Sequence, residues 1–482
     1  MANNYQSPGV YVEEIDLLPP SIAEVDSAVP AFVGYTQQAT KLVADDLHNI
    51  PTPISSLNDF TNYFGGPDTE DPTNITISVD ELQTSSGATT GFNVTVTPAV
   101  ANLSKHILYN AIVNFFANGG GNCYVVSVGK YNSDINKDDL IAGVNLIANE
   151  DDPTMLVVPE AIYLNPGDFN SVNQTMINQA ANLKDRFAIM DTHQTTVPKS
   201  VADIKTDVGT AIDSIPADET IRRYGAVYYP FLETTYNYNF SFDALTLTSH
   251  TVNGNPPATG NQTGKALADI KNTASLMYNA IAAEYAKYHI VLPPSAAMAG
   301  IYTRVDNTRG VWKAPANVSV MDVVKPVISI ARAEQDFLNI NTNTGKSVNA
   351  ILNMPGYGTV VMGARTLDGN NNEWKYINVR RFFSVVEESV KKSIQWAVFE
   401  PNTSQTWVKV QAMIENYLFQ KWRDGALAGA KPEQAYFVNV GLGTTMNSVD
   451  ILEGRMIVQI GMAVARPAEF IILQFEQMMQ TS

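Results

Sequence analysis

The chain has 482 residues, of which 45% are hydrophobic and 16% are charged. Because single hydrophobic cores stop growing at roughly 250 to 300 residues, this length predicts two or three globular domains. The formal net charge is -17, from 48 acidic and 31 basic residues, whereas binding to nucleic-acid phosphates needs clustered Lys and Arg. The composition therefore argues against a nucleic-acid partner.

The chain shows no sign of secretion or of membrane insertion. Its first basic residue is Lys41, so the N-terminus lacks the positive segment of a signal peptide, and no run approaches ~18 consecutive apolar residues. We therefore expect a soluble protein that is made in the cytoplasm and is not inserted directly into a membrane. The single cysteine, Cys123, lies in the apolar run CYVVSV, which favours a buried structural thiol.

Residues 1–20 contain a predicted strand that has no neighbour to pair with. The segment from Val10 to Ile15 has the pattern of a short strand, but Pro19 and Pro20 stop the chain before it can turn back into a hairpin. A lone strand is not stable in water, so its backbone groups must pair elsewhere. The residues of this strand are Val10, Tyr11, Val12, Glu13, Glu14 and Ile15.

Residues 21–345 predict an α/β domain. After Ser104, which is placed to cap a helix, helical segments alternate with short apolar runs such as TMLVVP and RFAIMD. Strands of this kind are typical of a parallel sheet that is covered by helices on both faces. Two segments interrupt the pattern: a β-rich insertion at about 66–102, and a protruding hairpin and loop at about 233–264.

Residues 346–466 predict a separate α+β domain. NMPGYGTVVMGARTL and EWKYINV have the pattern of strands, two long amphipathic helices follow, and QAYFVNVG and RMIVQIGMAVARP are strands on either side of a short helix, NSVDILEG. The last segment, 467–482, has the alternation of a further strand after Pro467. The residues of that strand are Phe470, Ile471, Ile472, Leu473, Gln474 and Phe475.

No motif predicts a catalytic, cofactor or metal site. TGKS at Thr344–Ser347 resembles a phosphate-binding loop, but Ile340 stands where that loop needs a glycine. The five histidines have no neighbours at metal-ligand spacing. Asp191 and His193 follow an apolar strand, where α/β enzymes often hold active groups, but no nucleophile accompanies them. We expect a protein that is not an enzyme, with an α/β hydrolase-like enzyme as the alternative.

Predicted strands at both ends of the chain suggest pairing with another molecule. Arms that carry a strand behind proline residues are candidates for addition to the sheet edge of a neighbouring subunit. Such head-to-tail contacts build rings or open helical assemblies. Periodicity alone leaves equally open that each arm folds back onto its own subunit.

Three segments carry a resemblance to a known family. PGVYVEEI with its Pro-Pro turn and VPAFVGYT, then TRGVWKAPAN, and finally FEPNTSQTWVKVQAMIENYLFQKWRDGAL follow one another along the chain. They resemble the tail sheath proteins of contractile phages and the sheaths of phage-tail-like contractile injection systems. The resemblance implies a subtilisin-like α/β middle domain without the catalytic triad. It also implies a helical, six-fold tube that contracts around an inner tube and drives it through a target envelope.

The resemblance implies roles for individual residues. Both terminal strands would be donated to the C-terminal domains of neighbouring subunits, with Pro19, Pro20 and Pro467 as hinges. The receiving strands would be Ala435–Val440 and Met456–Ala463. Their receiving residues would be Tyr436, Val438, Val440, Ile457, Gln459 and Gly461. The C-terminal domain would face the inner tube through Ser448, Asp450, Glu453 and Arg455.

The resemblance also implies the partners and the place of assembly. The partners would be further copies of the chain, the inner tube protein, baseplate and cap proteins, and sheath paralogues. The particle would be assembled in the bacterial cytoplasm and would end as a phage tail, a released extracellular device or a cell-anchored device. A specialised paralogue at the baseplate or cap end is a second alternative to the main sheath subunit.

Overall fold

The computed structural model describes residues 21–193, 203–213, 215–341, 344–470 and 472. The chain divides into two compact units. The smaller unit comprises residues 1–25 and 385–465, and the larger unit comprises residues 26–384 and 466–482. Within the described ranges, no helix has the length and apolar character needed to cross a membrane.

The larger unit contains most of the regular structure. Its strands are β1 (Pro30–Thr36), β2 (Thr52–Ile54), β3 (Ile75–Gln83), β4 (Thr89–Pro98), β5 (Cys123–Lys130), β6 (Met155–Val157), β7 (Phe187–Asp191), β8 (Gly225–Tyr229), β9 (Leu232–Asn237), β10 (Ser249–Val252), β11 (His289–Leu292), β12 (Val318–Ser319), β13 (Val323–Pro326), β14 (Asn349–Met354) and β15 (Gly358–Val361). Its helices are α1 (Leu57–Phe64), α2 (Leu108–Ala117), α3 (Lys137–Ile147), α4 (Pro166–Leu183), α5 (Asp203–Asp213), α6 (Glu219–Arg222), α7 (Leu267–Thr273), α8 (Ser275–Tyr285), α9 (Ser295–Arg309) and α10 (Arg332–Asn339).

The remaining elements complete the chain. Helix α11 begins in the larger unit and ends in the smaller one. The elements from there onward are α11 (Ile377–Ser393), α12 (Ser404–Arg423), α13 (Pro432–Ala435), β16 (Tyr436–Val440), α14 (Ser448–Leu452) and β17 (Val458–Met462).

A nine-stranded sheet organises the larger unit, in the order β12-β15-β14-β8-β7-β6-β1-β5-β2. The six strands from β14 to β5 run parallel, and β2 and the β15–β12 pair extend the two edges in antiparallel fashion. Every residue of β1, β6, β7 and β8 is buried, as a parallel sheet with both faces covered requires. The predicted mixed α/β fold is confirmed.

Helices cover the two faces of this sheet and form two cores. Helices α3, α4 and α5 bury residues such as Val144, Val172 and Val208 against one face. Helices α1, α2 and α9 bury residues such as Phe60 and Phe115 against the other face. Helix α9 is buried along most of its length, so it lies within the core and not on the surface.

The two predicted interruptions fold together into a smaller sheet. Strands β3 and β4 form an antiparallel hairpin, and β10 pairs with β3 in parallel. Residues 233–264 therefore do not form a hairpin of their own, because β9 pairs with β11 and β13 in a different sheet. Helices α7 and α8 close a separate core over this lobe, with Leu267 and Ile281 fully buried.

Local structure near the end of the larger unit differs from the prediction in two ways. Strand β14 joins the main sheet by pairing with β8, so the larger unit continues past residue 345. EWKYINV is not a strand, because α11 starts at Ile377 and its buried residues, including Val379 and Phe382, follow helical spacing. The strand preference of Ile377 and Val379 is overridden there by burial on a helix, whereas Tyr376, just before the helix, forms an isolated bridge with Arg365.

Ser104 does not cap helix α2. The helix begins at Leu108, and the N–H of Leu108 donates to Oε1 of Glu160 at 3.2 Å. The hydroxyl of Ser104 instead donates to the carboxylate of Asp68 at 2.6 Å. The first turn is thus capped by a carboxylate distant in sequence, which a local pattern does not predict.

Candidate strand-exchange site

In the part of the smaller unit that the structure describes, β16 and β17 form a two-stranded sheet. Strands β16 and β17 pair in antiparallel fashion, with Tyr436 opposite Met462 and Val440 opposite Val458. Helix α12 packs against β16, and Val438 is buried. An isolated two-stranded sheet is only marginally stable in water, so this one depends on α12 and on any further strands that join it.

Hydrogen bonding determines which backbone groups of the pair face outward. In an antiparallel pair, opposed residues alternate between those that bond each other and those that do not. Tyr436 and Met462 are of the second kind, because the N–H of Tyr436 donates to the carbonyl of Pro432 and the N–H of Ala463 donates to the carbonyl of Ala435 at 2.8 Å. The residues whose backbone groups point to the outer edges are therefore Tyr436, Val438 and Val440 on β16, and Val458, Ile460 and Met462 on β17.

Among the residues that the structure describes, no strand pairs with the outer edge of β16 or β17. One outward carbonyl, that of Val438, accepts a hydrogen bond from Nε2 of Gln411 at 3.1 Å. Rows of backbone groups at a sheet edge are ready to pair with another chain. The pair thus offers an extended peptide the outer edge of β17 and the part of the β16 edge that Pro432 and Gln411 do not already bond.

The predicted receiving residues divide between the two kinds of position. Tyr436, Val438 and Val440 direct their backbone groups to the outer edge of β16. Gln459 and Gly461 instead pair with Asn439 and Phe437 across the sheet, and Ile457 precedes β17. On β17 the outward backbone groups belong to Val458, Ile460 and Met462, which alternate with the predicted Gln459 and Gly461. The sequence did not predict this, because alternation of side chains does not show which edge a residue's backbone groups face.

The smaller unit exposes several large apolar side chains, one of them on β16. Phe437 is 48% exposed and its ring lies against Gly461. Other exposed apolar residues of the smaller unit are Val398, Phe399, Val408, Phe419, Leu442, Val449, Leu452 and Ile457. Large exposed apolar side chains are candidates for contacts with other proteins where they lie next to one another.

The residues that directly follow the N-terminal segment are held in place within the smaller unit. The N–H groups of Ala23 and Val25 donate to the hydroxyls of Ser393 and Ser389 at 3.2 and 3.1 Å. Glu24 forms an ion pair with Lys421. The predicted donor residues 10–15 and the predicted hinges at 19 and 20 lie outside the described residues.

The C-terminal segment is held in the larger unit. Glu469 forms a two-pronged ion pair with Arg365, at 2.8 and 2.5 Å, and accepts a hydrogen bond from the hydroxyl of Tyr376 at 3.2 Å. Beyond it, Phe470 is 73% exposed and Ile472 is 81% exposed. The donor residues predicted at 471 and 473–475 lie outside the described residues.

Comparisons with known proteins identify the family. The family model of the phage tail sheath C-terminal domain matches residues 369–478. The helical sheath of the anti-feeding prophage, solved by cryo-EM in the contracted state, is 30% identical, and the match covers 98% of this chain and 99% of that chain with a TM-score of 0.61. The chain belongs to the contractile tail sheath family. It is a structural sheath subunit and not an enzyme.

Two further relatives support this membership. The sheath in the PVC sheath complex, an extracellular contractile injection system in the contracted state, is 29% identical over 99% of both chains, with a TM-score of 0.63. The tail sheath protein of Enterobacteria phage T4 is 26% identical over 199 residues. That match covers 40% of this sheath protein and 28% of the T4 protein.

Three of the residues predicted as inner-tube contacts, Asp450, Glu453 and Arg455, form ion pairs with one another. Asp450 is buried, and its carboxylate accepts from the backbone of Asn447 and pairs with Arg455 at 2.8 Å. Arg455 also pairs with Glu453 at 2.6 Å. The two carboxylates and one guanidinium leave one net negative charge, and α14 also exposes the apolar side chains of Val449 and Leu452.

The TRGVWKAP motif of the sheath protein follows a buried ion pair. Arg381 of α11 pairs with Asp306 of α9 at 2.6 and 3.0 Å, and both side chains are less than 5% exposed. Asp306 also accepts from the hydroxyl of Ser27 at 2.6 Å, and Arg381 donates to the carbonyl of Ser27 at 2.8 Å. The motif therefore has a structural role. Asp306 lies two residues before the motif, and no sequence pattern pointed to Arg381 as its partner.

Asp191 and His193 do not form an active site in the sheath protein. Asp191 is buried and accepts from the N–H of Ser295 at 2.8 Å, at the start of α9. Burial raises the pKa of Asp191 to about 7, against the hydrogen bonds from Ser295. One ring nitrogen of His193 bonds the carbonyl of Leu164 at 2.8 Å. The aspartate positions a core helix, and the histidine bonds a loop.

The TGKS segment likewise serves the fold of the sheath protein. The ammonium group of Lys346 donates to the carbonyls of Ile212 and Ile215, at 2.6 and 2.8 Å, at the C-terminal end of α5. Lys346 is only 8% exposed, so this cation satisfies helix carbonyls. Among the residues that the structure describes, no group of three His, Cys, Asp or Glu side chains is placed to hold a metal ion.

Proposed function

We propose that this sheath subunit polymerises with copies of itself by exchanging strands, into a helical tube of stacked six-subunit rings around an inner tube. Contraction of the sheath then drives the inner tube through a target envelope. The open edges of β16 and β17 are the observation that carries the proposal. Similarity to contracted sheath and baseplate structures supports the choice of assembly.

The lengths of the donor segments and of the receiving strands favour one donated strand at the outer edge of β16 and one at the outer edge of β17. Strands β16 and β17 have five residues each, and the donor segments 10–15 and 470–475 have six. Strands of five or six residues span about 17 to 20 Å, so donor and edge match in length. Two added strands would convert a marginal pair into a four-stranded sheet with one face packed on α12.

Strand exchange is compatible with movement of the subunits. Breaking several backbone hydrogen bonds at once is costly, at about 0.5 to 1.5 kcal/mol net for each bond. Pairing would therefore persist while tethers at Pro19, Pro20 and Pro467 change conformation. The free energy of contraction would come from surface buried as the subunits pack more tightly.

Further parts of the molecule have assigned roles in this proposal. The α/β fold of the larger unit would be a subtilisin-like domain without the catalytic triad, supported by its parallel sheet with helices on both faces. The smaller unit would face the inner tube, with the exposed Val449 and Leu452 of α14 as contacts in addition to the predicted charged residues. Baseplate and cap proteins would bind the ends of the tube after assembly in the bacterial cytoplasm.

Deletion of residues 1–16 tests strand exchange. The truncated chain retains the contacts of Ala23 and Val25 and every strand described above, so we expect it to fold but to remain monomeric. Sedimentation measures the size of the particles, and electron microscopy shows whether striated tubes form. Long tubes from the truncated chain would overturn the proposal.

A matched pair of substitutions separates strand pairing from simple chain removal. Val12→Pro removes a backbone donor within the predicted donor strand, whereas Val12→Thr keeps both the donor and the β-branched shape. We expect tubes from Val12→Thr and none, or only short ones, from Val12→Pro. Equal tube yields from the two variants would contradict pairing through the backbone of this segment.

A further inference from the structure

The two ends of the chain are anchored in different units. Residues 21–25 belong to the smaller unit, through Ala23, Val25 and the pair of Glu24 with Lys421. Residues 466–482 are assigned to the larger unit. The arms that leave from these two positions therefore begin on separate bodies of the same subunit.

Arg365 and Glu469 form the anchor of the C-terminal arm. The Arg365 side chain is 4% exposed and that of Glu469 is 18% exposed. Nε and one terminal nitrogen of Arg365 bind the two carboxylate oxygens, while the other terminal nitrogen donates to the carbonyl of Gly369 at 3.1 Å. The hydroxyl of Tyr376 donates to the same carboxylate. Two-pronged charged pairs of this kind are stronger and more directional than neutral hydrogen bonds.

Glu469 is the last firmly held residue before the predicted donor strand. Ala465 is fixed in the smaller unit, where its N–H donates to the carbonyl of Ala426 at 2.9 Å. Only residues 466–468 separate it from Glu469. In the part of the chain that the structure describes beyond this point, Phe470 and Ile472 expose most of their apolar surface.

We propose that Arg365 and Glu469 are positioning residues that anchor the donated C-terminal strand in the larger unit. A second copy of this chain that accepts the strand would then be linked to the larger unit of the donor. A copy that accepts the N-terminal strand would be linked to the smaller unit. This inference rests on the proposed strand exchange, and it adds which body of the subunit each neighbour is connected to.

A mechanical consequence follows from the separate anchors. If the ion pair is lost, the last fixed residue before the strand becomes Ala465 in place of Glu469. The strand is then connected to the smaller unit, through a free tether that is longer by residues 466–469. The link to the larger unit disappears although the strand itself is unchanged. A longer free tether lowers the effective concentration of the strand at its acceptor, so tubes would still form but would dissociate more readily.

A nitroxide spin label at position 472 tests the anchor in the unassembled subunit. Ile472→Cys provides the exposed attachment site, and the native Cys123 is buried. On this background we expect Glu469→Gln to shorten the rotational correlation time of the label about threefold, because the tether becomes free. Tyr376→Phe should produce a smaller change in the same direction. If the label is equally mobile in the Ile472→Cys chain with and without Glu469→Gln, the proposal is wrong.

The control removes a similar carboxylate that has no connection to the arm. Glu284→Gln breaks the exposed pair of Glu284 with Lys287 on α8, and we expect no change in label mobility. Thermal unfolding of each variant verifies that the fold is retained. If Glu284→Gln or partial unfolding reproduces the change seen with Glu469→Gln, the proposal is wrong.

Assembly distinguishes failure of the anchor from failure of strand exchange. Tubes made from the Glu469→Gln chain should dissociate at a lower urea concentration than wild-type tubes, which supports the anchor. A chain truncated after Glu469 should not form tubes. If the truncated chain forms tubes as stable as wild type, strand donation by this arm fails, whatever the spin label shows.

Discussion

Gly461 leaves space for the ring of Phe437 across the β16–β17 pair. A Cβ atom at position 461 would lie 2.1 Å from that ring, which is far inside van der Waals contact. We expect Gly461→Val to lower the free energy of unfolding of the smaller unit by about 1 to 3 kcal/mol, as overpacking does. Urea unfolding followed by tryptophan fluorescence measures the change.

A second substitution verifies the cause. Phe437→Ala together with Gly461→Val removes the ring that the new side chain meets, so the double variant should recover part of the lost stability. No recovery would mean that the loss at position 461 comes from the backbone and not from the ring.

Glu160 predicts a pH dependence of stability. Its carboxylate is fully buried and accepts from the N–H groups of Tyr35 and Leu108 at 2.7 and 3.2 Å. Burial raises its pKa from 4.5 to about 8, against those hydrogen bonds. The native state therefore keeps a proton that the unfolded chain loses, so this contribution to stability is complete below about pH 4.5 and is lost as pH rises toward 8, by about 1.4 kcal/mol per pH unit.

The comparison with Glu160→Gln isolates this contribution, because the amide does not titrate. The difference in unfolding free energy between wild type and Glu160→Gln should change between pH 5 and 8, in the direction that weakens the wild type at high pH. Glu284→Gln, at the exposed pair on α8, should give a difference that does not change with pH. A constant difference for Glu160→Gln would show that Glu160 is ionised throughout this range.

At the scale of elements, α9 and α11 are joined by the buried pair of Asp306 with Arg381. We expect Arg381→Met to lower the free energy of unfolding by about 3 to 5 kcal/mol, because it leaves a buried carboxylate without its partner. Combining it with Asp306→Leu should restore most of the loss, since neither charge then remains. Chemical unfolding measures both variants.

The matched control is Arg309→Met, at the exposed C-terminal end of α9. It removes a guanidinium from the same helix without exposing a buried charge, so its effect should stay within about 0.5 kcal/mol. A loss as large as that of Arg381→Met would indicate that net charge, and not the buried pair, determines stability.

The elements that periodicity predicts best are those whose burial repeats locally. The alternation of apolar runs and helical segments gave β6 and β7 with only small shifts of their ends. Contacts between distant residues were not predictable in this way. The capping of α2 by Glu160, the joining of β10 to β3 and the anchoring of α9 by Asp191 depend on groups brought together only by the fold.

At the scale of the whole molecule, the sequence predicts an arm with a strand at each end of the chain, but it does not predict how the two arms are anchored. Proline residues and alternation indicated where each arm begins. The outward direction of Val440 and Val458, and the pairing of Glu469 with Arg365, follow from a register and an ion pair that no local pattern contains. The sequence also could not decide whether an arm pairs with its own subunit or with another.

Cysteine cross-linking decides between those two alternatives. Val12→Cys places a thiol in the predicted donor strand, and Asn439→Cys or Gln459→Cys places one on the face of the β16–β17 pair opposite Val438. Opposed residues on paired strands have Cβ atoms about 4.5 to 5.5 Å apart, which small adjustments bring within disulfide range, whereas diagonal neighbours at about 7 to 8 Å are too far apart. We therefore expect at least one of the two receiving positions to form a disulfide with Val12→Cys after assembly.

The result is read from subunits that each carry one substitution. When Val12→Cys chains are mixed with Asn439→Cys or Gln459→Cys chains, exchange between subunits gives covalent dimers on a non-reducing gel. A chain that carries both substitutions should give a ladder of multimers, because each subunit donates to one neighbour and receives from another. A closed monomer in the doubly substituted chain, without dimers in the mixture, would show that the arm folds back onto its own subunit.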